Sequence, residues 1–284
     1  MTEKYISMTL SKTIYPCTPK GQNRSRLVTA SLAIFSTLLL QVTATSLRAE
    51  DATYGQPEGR DEASGTDRQD CEQRDRAYVA LLACSRLLKA TDLDTVQRTR
   101  ILELRGRASL TLFDFGEAVQ DFTEVLKVEP GNLPILAGRA EALNEYGEHG
   151  KAAEDWSRIV TLKPGDMAAR LKLGFSHYTA GAYDKAADAY EDAVKFDGKN
   201  PEAHIGAAKA YEGLNQRDKA DARLDSALKI NPANSSALFA RGEIAEARGD
   251  KKQAIESYSL SLKSNGMQIK PRQALQRLGI ETPP

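Results

Sequence analysis

The chain repeats itself every 34 residues over more than half of its 284 residues. Five consecutive units fit this period, at residues 99–132, 133–166, 167–200, 201–234 and 235–268. A period of this length is typical of solenoids, in which each unit buries its apolar face against its neighbours. The repeat therefore predicts an elongated stack of similar units and not one compact core.

Four places of the repeat hold one class of residue in nearly every unit. Small side chains at the eighth and twentieth places let two antiparallel helices approach closely. A large side chain at the twenty-fourth place fills the space between units. Pro or Gly at the thirty-second place ends the second helix. The structural residues are Gly106, Ala140, Gly174, Ala208 and Gly242 at the eighth place, Ala118, Ala152, Ala186, Ala220 and Ala254 at the twentieth, and Phe122, Trp156, Tyr190, Leu224 and Tyr258 at the twenty-fourth.

Turn-forming residues such as Gly147, Gly181 and Asn215 stand between the two predicted helices of each unit. With these turns and the four columns, residues 99–268 closely resemble the tetratricopeptide-repeat family. The resemblance implies an all-α fold, a right-handed α-solenoid of antiparallel helix pairs with five repeat units plus capping helices. It also implies that the first helices line a concave groove that binds another protein.

The groove positions that the resemblance implies are the second, fifth, ninth and twelfth places of each unit. Their middle section is apolar and aromatic with acids on both sides, which suits a segment with large apolar anchors and some basic residues. The alternative is that Phe175 and Tyr178 pack between units. The candidate groove residues are Arg107, Glu141, Asn144, Leu171, Phe175, Tyr178, Ile205, Lys209, Phe239 and Glu243.

Some members of the family bind a C-terminal carboxylate with Lys and Asn at the fifth and ninth places of their first unit. Glu103 and Arg107 occupy those places in this chain. We therefore do not expect a clamp of that type.

Residues 1–49 have the order of a secretory signal, because Lys and Arg up to Arg26 precede the apolar stretch 27–44. We expect a signal peptide that is cleaved between Ala44 and Glu50, and export to the bacterial periplasm. The mature chain would then contain no membrane span. The alternative is an uncleaved membrane anchor, because about 18 apolar residues are at the lower limit for crossing a bilayer.

The regions beside the repeats are expected to be a linker and two caps. Residues 50–70 are poor in apolar residues, which predicts a disordered linker. Residues 71–98 are predicted to be an N-terminal capping helix region, and residues 269–284 a C-terminal capping helix and tail, because the ends of an array need covering. Cys71 and Cys84 are expected to form a disulfide in an oxidising compartment, and two free buried thiols are the alternative.

No residue pattern in the chain indicates catalysis. His149, His177 and His204 lack a second His or Cys at metal-ligand spacing, and motifs for nucleophilic or phosphate chemistry are absent. Without residues 1–49 the chain has 33 basic and 38 acidic residues, which disfavours nucleic acid as a partner. We expect no catalytic residue, no cofactor and no metal.

These observations together predict a non-catalytic protein–protein interaction module of the bacterial cell envelope. It would bind a peptide or helix of another protein in its concave groove, as an adaptor or assembly factor. The alternative is a self-associating structural scaffold, which a strictly monomeric mass at high concentration would exclude.

Overall fold

The computed structural model describes residues 62–282, with side chains described from residue 65. The predicted signal peptide and residues 50–61 of the predicted linker lie outside this range. The described residues form thirteen α-helices and contain no β-strand. The helices are α1 (Glu62–Cys71), α2 (Ala77–Leu87), α3 (Thr95–Thr111), α4 (Phe115–Val128), α5 (Leu133–Glu145), α6 (His149–Leu162), α7 (Met167–Thr179), α8 (Tyr183–Phe196), α9 (Pro201–Gly213), α10 (Arg217–Ile230), α11 (Ser235–Ala247), α12 (Lys251–Ser264) and α13 (Ile269–Arg277).

Each helix packs against the next one along the chain. The second helices of the five units, α4, α6, α8, α10 and α12, have 14 residues each and begin 34 residues apart. The first helices α5, α7, α9 and α11 have 13 residues each and begin at the first place of their units. The predicted all-α solenoid is confirmed.

Most first helices begin after an Asn or Asp at the thirty-fourth place of the preceding unit. Its side-chain oxygen accepts hydrogen bonds from backbone N–H groups of the first turn, which have no partner within the helix. Helix α3 begins at Thr95, before the first unit starts at residue 99, because Asp94 and Gln97 form a capping box. The capping residues of the other four are Asn132, Asp166, Asn200 and Asn234.

The turn between the two helices of each unit contains a residue with positive φ at the fifteenth place. Gly147, Gly181 and Gly249 have φ values of 88°, 75° and 81°, and Asn215 has 57°. Phe113 occupies the same place in the first unit, with φ 62°. Gly and Asn adopt this left-handed conformation at low cost, whereas an aromatic residue does not.

The residues predicted to pack the helices together are all buried. In three units the ring at the twenty-fourth place lies directly on the glycine at the eighth, where an added Cβ would come within 2.5 to 2.8 Å of the ring. These pairs join the two helices of one unit, as the small-residue column predicts. They are Gly106 with Phe122, Gly174 with Tyr190 and Gly242 with Tyr258.

The N-terminal end differs from the prediction, because residues 62–70 of the expected disordered linker belong to helix α1. A disulfide between Cys71 and Cys84 joins α1 to α2, and Arg86 Nε donates a hydrogen bond of 2.9 Å to Asp67 Oδ1. Of the described α1 side chains only Cys71 is buried. Composition therefore predicted disorder, whereas the covalent link and the ion pair hold the helix in place.

Helix α13 covers the other end of the stack. It begins 34 residues after α11, so it has the position of the first helix of a sixth unit. Its buried Ala274 and Leu275 pack against Tyr258 of α12. The last complete unit therefore does not leave its apolar face in water.

Candidate functional site

The first helices form the inner side of the stack. Helices α3 and α5, α7 and α9, and α9 and α11 contact one another across unit boundaries. Within residues 62–282 no two second helices approach each other to a similar extent. A row of helices that is closer together on one side curves towards that side, so we define the inner face as the second, fifth, ninth and twelfth places of these first helices.

The candidate groove residues differ in their exposure. Phe175, Glu141 and Arg107 are exposed, whereas Ile205 is only 6% exposed and belongs to the core between α9, α10 and α11. The fifth place of the fourth unit is therefore covered by its neighbours, and Ile205 is not part of the groove surface. The remaining candidates are partly buried, namely Asn144, Leu171, Tyr178, Lys209, Phe239 and Glu243.

The centre of the inner face contains one aromatic side chain that solvent reaches freely. Phe175, at the ninth place of the third unit, is 51% exposed. Tyr178 instead lies with its ring centroid 5.5 Å from that of Tyr183, and Leu171 packs with it against the Tyr190 cluster. Burial raises the pKa of the Tyr178 phenol, so the group remains neutral.

Ion pairs connect neighbouring first helices on both sides of Phe175. Towards the N-terminus Lys172 of α7 pairs with Glu141 of α5. Towards the C-terminus Lys209 Nζ of α9 lies 2.7 Å from Glu243 Oε2 of α11. The expected acidic rim is therefore neutralised at these two carboxylates by cations of the adjacent unit.

The C-terminal end of the inner face has a similar pairing. Arg277 Nη2 of α13 and the Tyr258 hydroxyl each donate a hydrogen bond of 2.8 Å to Glu246 Oε2. These hydrogen bonds lower the pKa of Glu246. The carboxylate therefore stays ionised and joins α11 to the capping helix.

The three histidines are not brought together into a binding site. His149 Nδ1 lies 3.2 Å from Asn144 Oδ1, and His204 Nε2 lies 3.0 Å from the Gly198 carbonyl oxygen. Burial lowers the pKa of His177. In the described part of the chain no group of three or more His, Cys, Asp or Glu residues is placed to hold a metal ion.

Two buried ion pairs were missed by the sequence analysis. Arg105 is bidentate to Asp121 at 2.6 and 2.8 Å, and Arg139 is bidentate to Asp155 at 2.7 and 2.8 Å. Both pairs join the seventh and twenty-third places of one unit. The sequence does contain a signal for these pairs, because Arg and Asp recur at the seventh and twenty-third places of the first two units.

Family comparisons agree with this geometry. One tetratricopeptide-repeat model matches residues 147–201 and a second matches residues 177–238. The chain is a tetratricopeptide-repeat protein. Tetratricopeptide repeats are in general protein-interaction modules, and the family supports that role here.

Solved structures share the fold of this tetratricopeptide-repeat protein at low sequence identity. A thermophilic tetratricopeptide-repeat protein of Thermus thermophilus is 19% identical, with a TM-score of 0.51 over 63% of this chain and 98% of that one. MamA from Desulfovibrio magneticus RS-1 is 19% identical, with a TM-score of 0.51 over 61% and 97%. A tetratricopeptide-repeat protein from Parabacteroides merdae ATCC 43184 is 16% identical, with a TM-score of 0.51 over 76% and 83%.

Because these three structures are only 16% to 19% identical in sequence to this chain, their similarity is evidence for the fold alone. No curated protein sequence matches the tetratricopeptide-repeat chain significantly. Among its helices between residues 62 and 282, none has the length and apolar character needed to cross a membrane.

Proposed function

We propose that the protein is a non-catalytic adaptor or assembly factor whose inner face holds a peptide or helix of a partner protein. The observation that carries this proposal is the exposure of Phe175 at the middle of the inner face. Large aromatic side chains at the centre of a concave surface supply much of the energy in protein interfaces, because binding removes them from water. Phe175 is the anchor of the proposed site.

The ion pairs beside Phe175 define the chemistry of the bound segment. Glu141–Lys172 and Lys209–Glu243 place both signs of charge on each side of the ring. All four side chains remain partly exposed, so charged groups of a partner reach them without a large desolvation cost. The partner segment carries one large apolar side chain for Phe175, with charged residues on both sides of it.

The proposed location is the bacterial cell envelope. Its support is the order of residues 1–49, in which a basic segment precedes an apolar one. An oxidising compartment also suits the Cys71–Cys84 disulfide. N-terminal sequencing of the protein isolated from the periplasmic fraction tests this location, and a chain that keeps residues 1–49 and stays with the membrane contradicts cleavage.

The test of the inner face compares two phenylalanines of equal exposure. Phe175 on α7 and Phe196 at the end of α8 are each 51% exposed, but only Phe175 lies on the inner face. A partner is captured from the source cell with the wild-type chain and purified, and its affinity for each variant is then measured. Phe175→Ala is expected to weaken binding about tenfold or more, whereas Phe196→Ala leaves the affinity unchanged. Equal affinities for Phe175→Ala and wild type would exclude this role of the inner face.

A second candidate function is self-association, and a row of apolar side chains favours it. The thirtieth place of the first four units holds residues that are 41% to 51% exposed. Analytical ultracentrifugation at high concentration separates the two functions, because Phe196→Ala should reduce self-association and Phe175→Ala should not. A monomer at all concentrations excludes the scaffold. The row consists of Val128, Leu162, Phe196 and Ile230.

A further inference from the structure

The turns of the first two units carry exposed aromatic rings that the inner face does not include. Phe113 is 77% exposed and Tyr146 is 60% exposed. The ring centroids of Phe113 and Phe115 are 6.1 Å apart in an edge-to-face arrangement. These three side chains line one shallow hollow between the two turns, and we call Phe113, Phe115 and Tyr146 the turn patch.

Folding does not explain why an aromatic residue stands at Phe113. Its φ of 62° lies in the left-handed region, which costs free energy for any residue with a Cβ. The other four units have Gly or Asn at this place, and those residues tolerate the conformation. The backbone conformation of Phe113 therefore costs stability, and the ring recovers little of that cost because 77% of the side chain stays in water. Strain of this kind is concentrated at functional sites.

The turns around the turn patch are also more acidic than the turns at the other end of the solenoid. At places 13–19 of the first two units, residues 111–117 and 145–151 contain four acids and one basic residue, Lys151. The same places of the fourth and fifth units, residues 213–219 and 247–253, contain two acids and five basic residues. The four acids around the turn patch are Asp114, Glu117, Glu145 and Glu148.

Three of these four carboxylates already interact with other groups of the chain. Asp114 caps α4, Glu117 lies 3.4 Å from Arg105, and Glu148 pairs with Lys151. Glu145 is exposed and makes no ion pair with the residues that the structure describes. Aromatic faces carry partial negative charge and attract cations, so the rings and the acids favour the same kind of ligand.

We propose that the turn patch is a second docking surface, for a segment of a partner protein in which Arg or Lys stands next to an apolar side chain. The cation lies over a ring and near Glu145, and the apolar side chain covers Phe113. This surface is separate from the inner face and does not depend on the role of Phe175. An anionic membrane surface is a poor ligand for it, because the surrounding acids repel phosphate groups.

The experiment uses a capped peptide of alternating Arg and Leu, and a counterpart in which Gln replaces every Arg. Binding to the full chain is measured by calorimetry, together with the thermal unfolding midpoint of each variant. Phe113→Gly is expected to raise the midpoint, because Gly adopts the left-handed conformation without strain. The same substitution should weaken binding of the Arg–Leu peptide by about tenfold. A loss of binding in a more stable protein cannot be attributed to unfolding.

Two controls make the result specific. Leu260→Ala removes a side chain that is 44% exposed on the second helix α12, and it should leave the peptide affinity unchanged. The peptide also resembles the segment proposed for the inner face, so the measurement is repeated in the Phe175→Ala background, where Phe113→Gly should still weaken binding by about tenfold. The Gln peptide should bind more weakly than the Arg peptide.

Several results would overturn the proposal. They are absence of binding of the Arg–Leu peptide to the wild type, equal affinity of Phe113→Gly and wild type, and equal affinity of the Gln and Arg peptides. A further one is loss of self-association in Phe113→Gly without a change in peptide affinity, because the occupant would then be a second copy of this chain.

Discussion

Single glycines decide how closely neighbouring units of this solenoid pack. The Tyr190 ring lies between the backbones of two first helices, with Gly174 of its own unit on one side and Gly206 of the next unit on the other. A Cβ at either glycine would overlap the ring. The ring can lie against the helix backbone because the glycine has no side chain. Glycine lowers the stability of a helix, and the close packing of the ring offsets this cost.

The substitution Gly206→Ala tests this packing. We expect the free energy of unfolding to fall by about 1–3 kcal/mol, because the added methyl group displaces the Tyr190 ring or the helix. Gly150→Ala in α6 is the matched control, since no atom lies within 4 Å of its added Cβ. That control should be neutral or stabilise by up to about 1 kcal/mol. Urea unfolding measures both changes, and equal effects of the two substitutions would contradict the described contact.

Pairs of helices are joined by different chemistry in different units. In the second unit the buried Asp155 accepts two hydrogen bonds from Arg139, which joins α5 to α6 and raises the pKa of the arginine. In the third unit the same two places hold Leu173 and Ala189. Apolar residues therefore stand in the third unit where the second unit has an ion pair, as expected if both solutions provide similar stability.

Removal of one partner of this pair has a different effect from removal of both. Asp155→Ala leaves Arg139 unpaired and partly buried, so we expect a loss of about 2–4 kcal/mol in the free energy of unfolding. The double variant Arg139→Leu with Asp155→Ala reproduces the third unit and should recover more than half of that loss. Chemical denaturation of the single and double variants measures the difference. A double variant that is no more stable than the single one would show that the ion pair itself is required.

The whole molecule is stabilised by contacts between neighbours along the chain. Between residues 62 and 282 every helix packs on the next one, and the stronger contacts between non-consecutive helices join adjacent units. Stability is therefore close to a sum over units and their interfaces, and the terminal helices contribute one interface each. Helix α13 provides the C-terminal interface through Ala274, Leu275 and the Arg277–Glu246 ion pair.

Truncation after residue 268 tests this view of the whole molecule. Without α13 the Tyr258 side chain, which is fully buried in the intact protein, becomes exposed to water. We expect faster amide hydrogen exchange in α11 and α12, and unchanged exchange in α5 to α8, because coupling decays over neighbouring units. A uniform increase along the chain would indicate one cooperative core instead of a stack.

Much of the fold was predictable because it depends on short-range features that recur. The 34-residue period, the small and large columns and the capping Asn or Asp residues all lie within one unit or its boundary. Helix α1 was not predictable, since its attachment depends on Cys71 and on Asp67 meeting α2. The sequence predicted the residues of the inner face only in part. The candidate residues are at least partly exposed except for Ile205, which belongs to the core.

The sequence by itself determined the fold class, the repeat and the positions of the helices within the five repeat units. These properties follow from local propensity and from contacts that recur in every unit. Only the tertiary structure decided which groups remain available for binding, namely that Phe175 is exposed while Tyr178 packs on Tyr183. It also decided that Lys209 neutralises Glu243. These outcomes depend on how the helices of a unit and of its neighbour are rotated and spaced, and a period in the sequence does not specify that geometry.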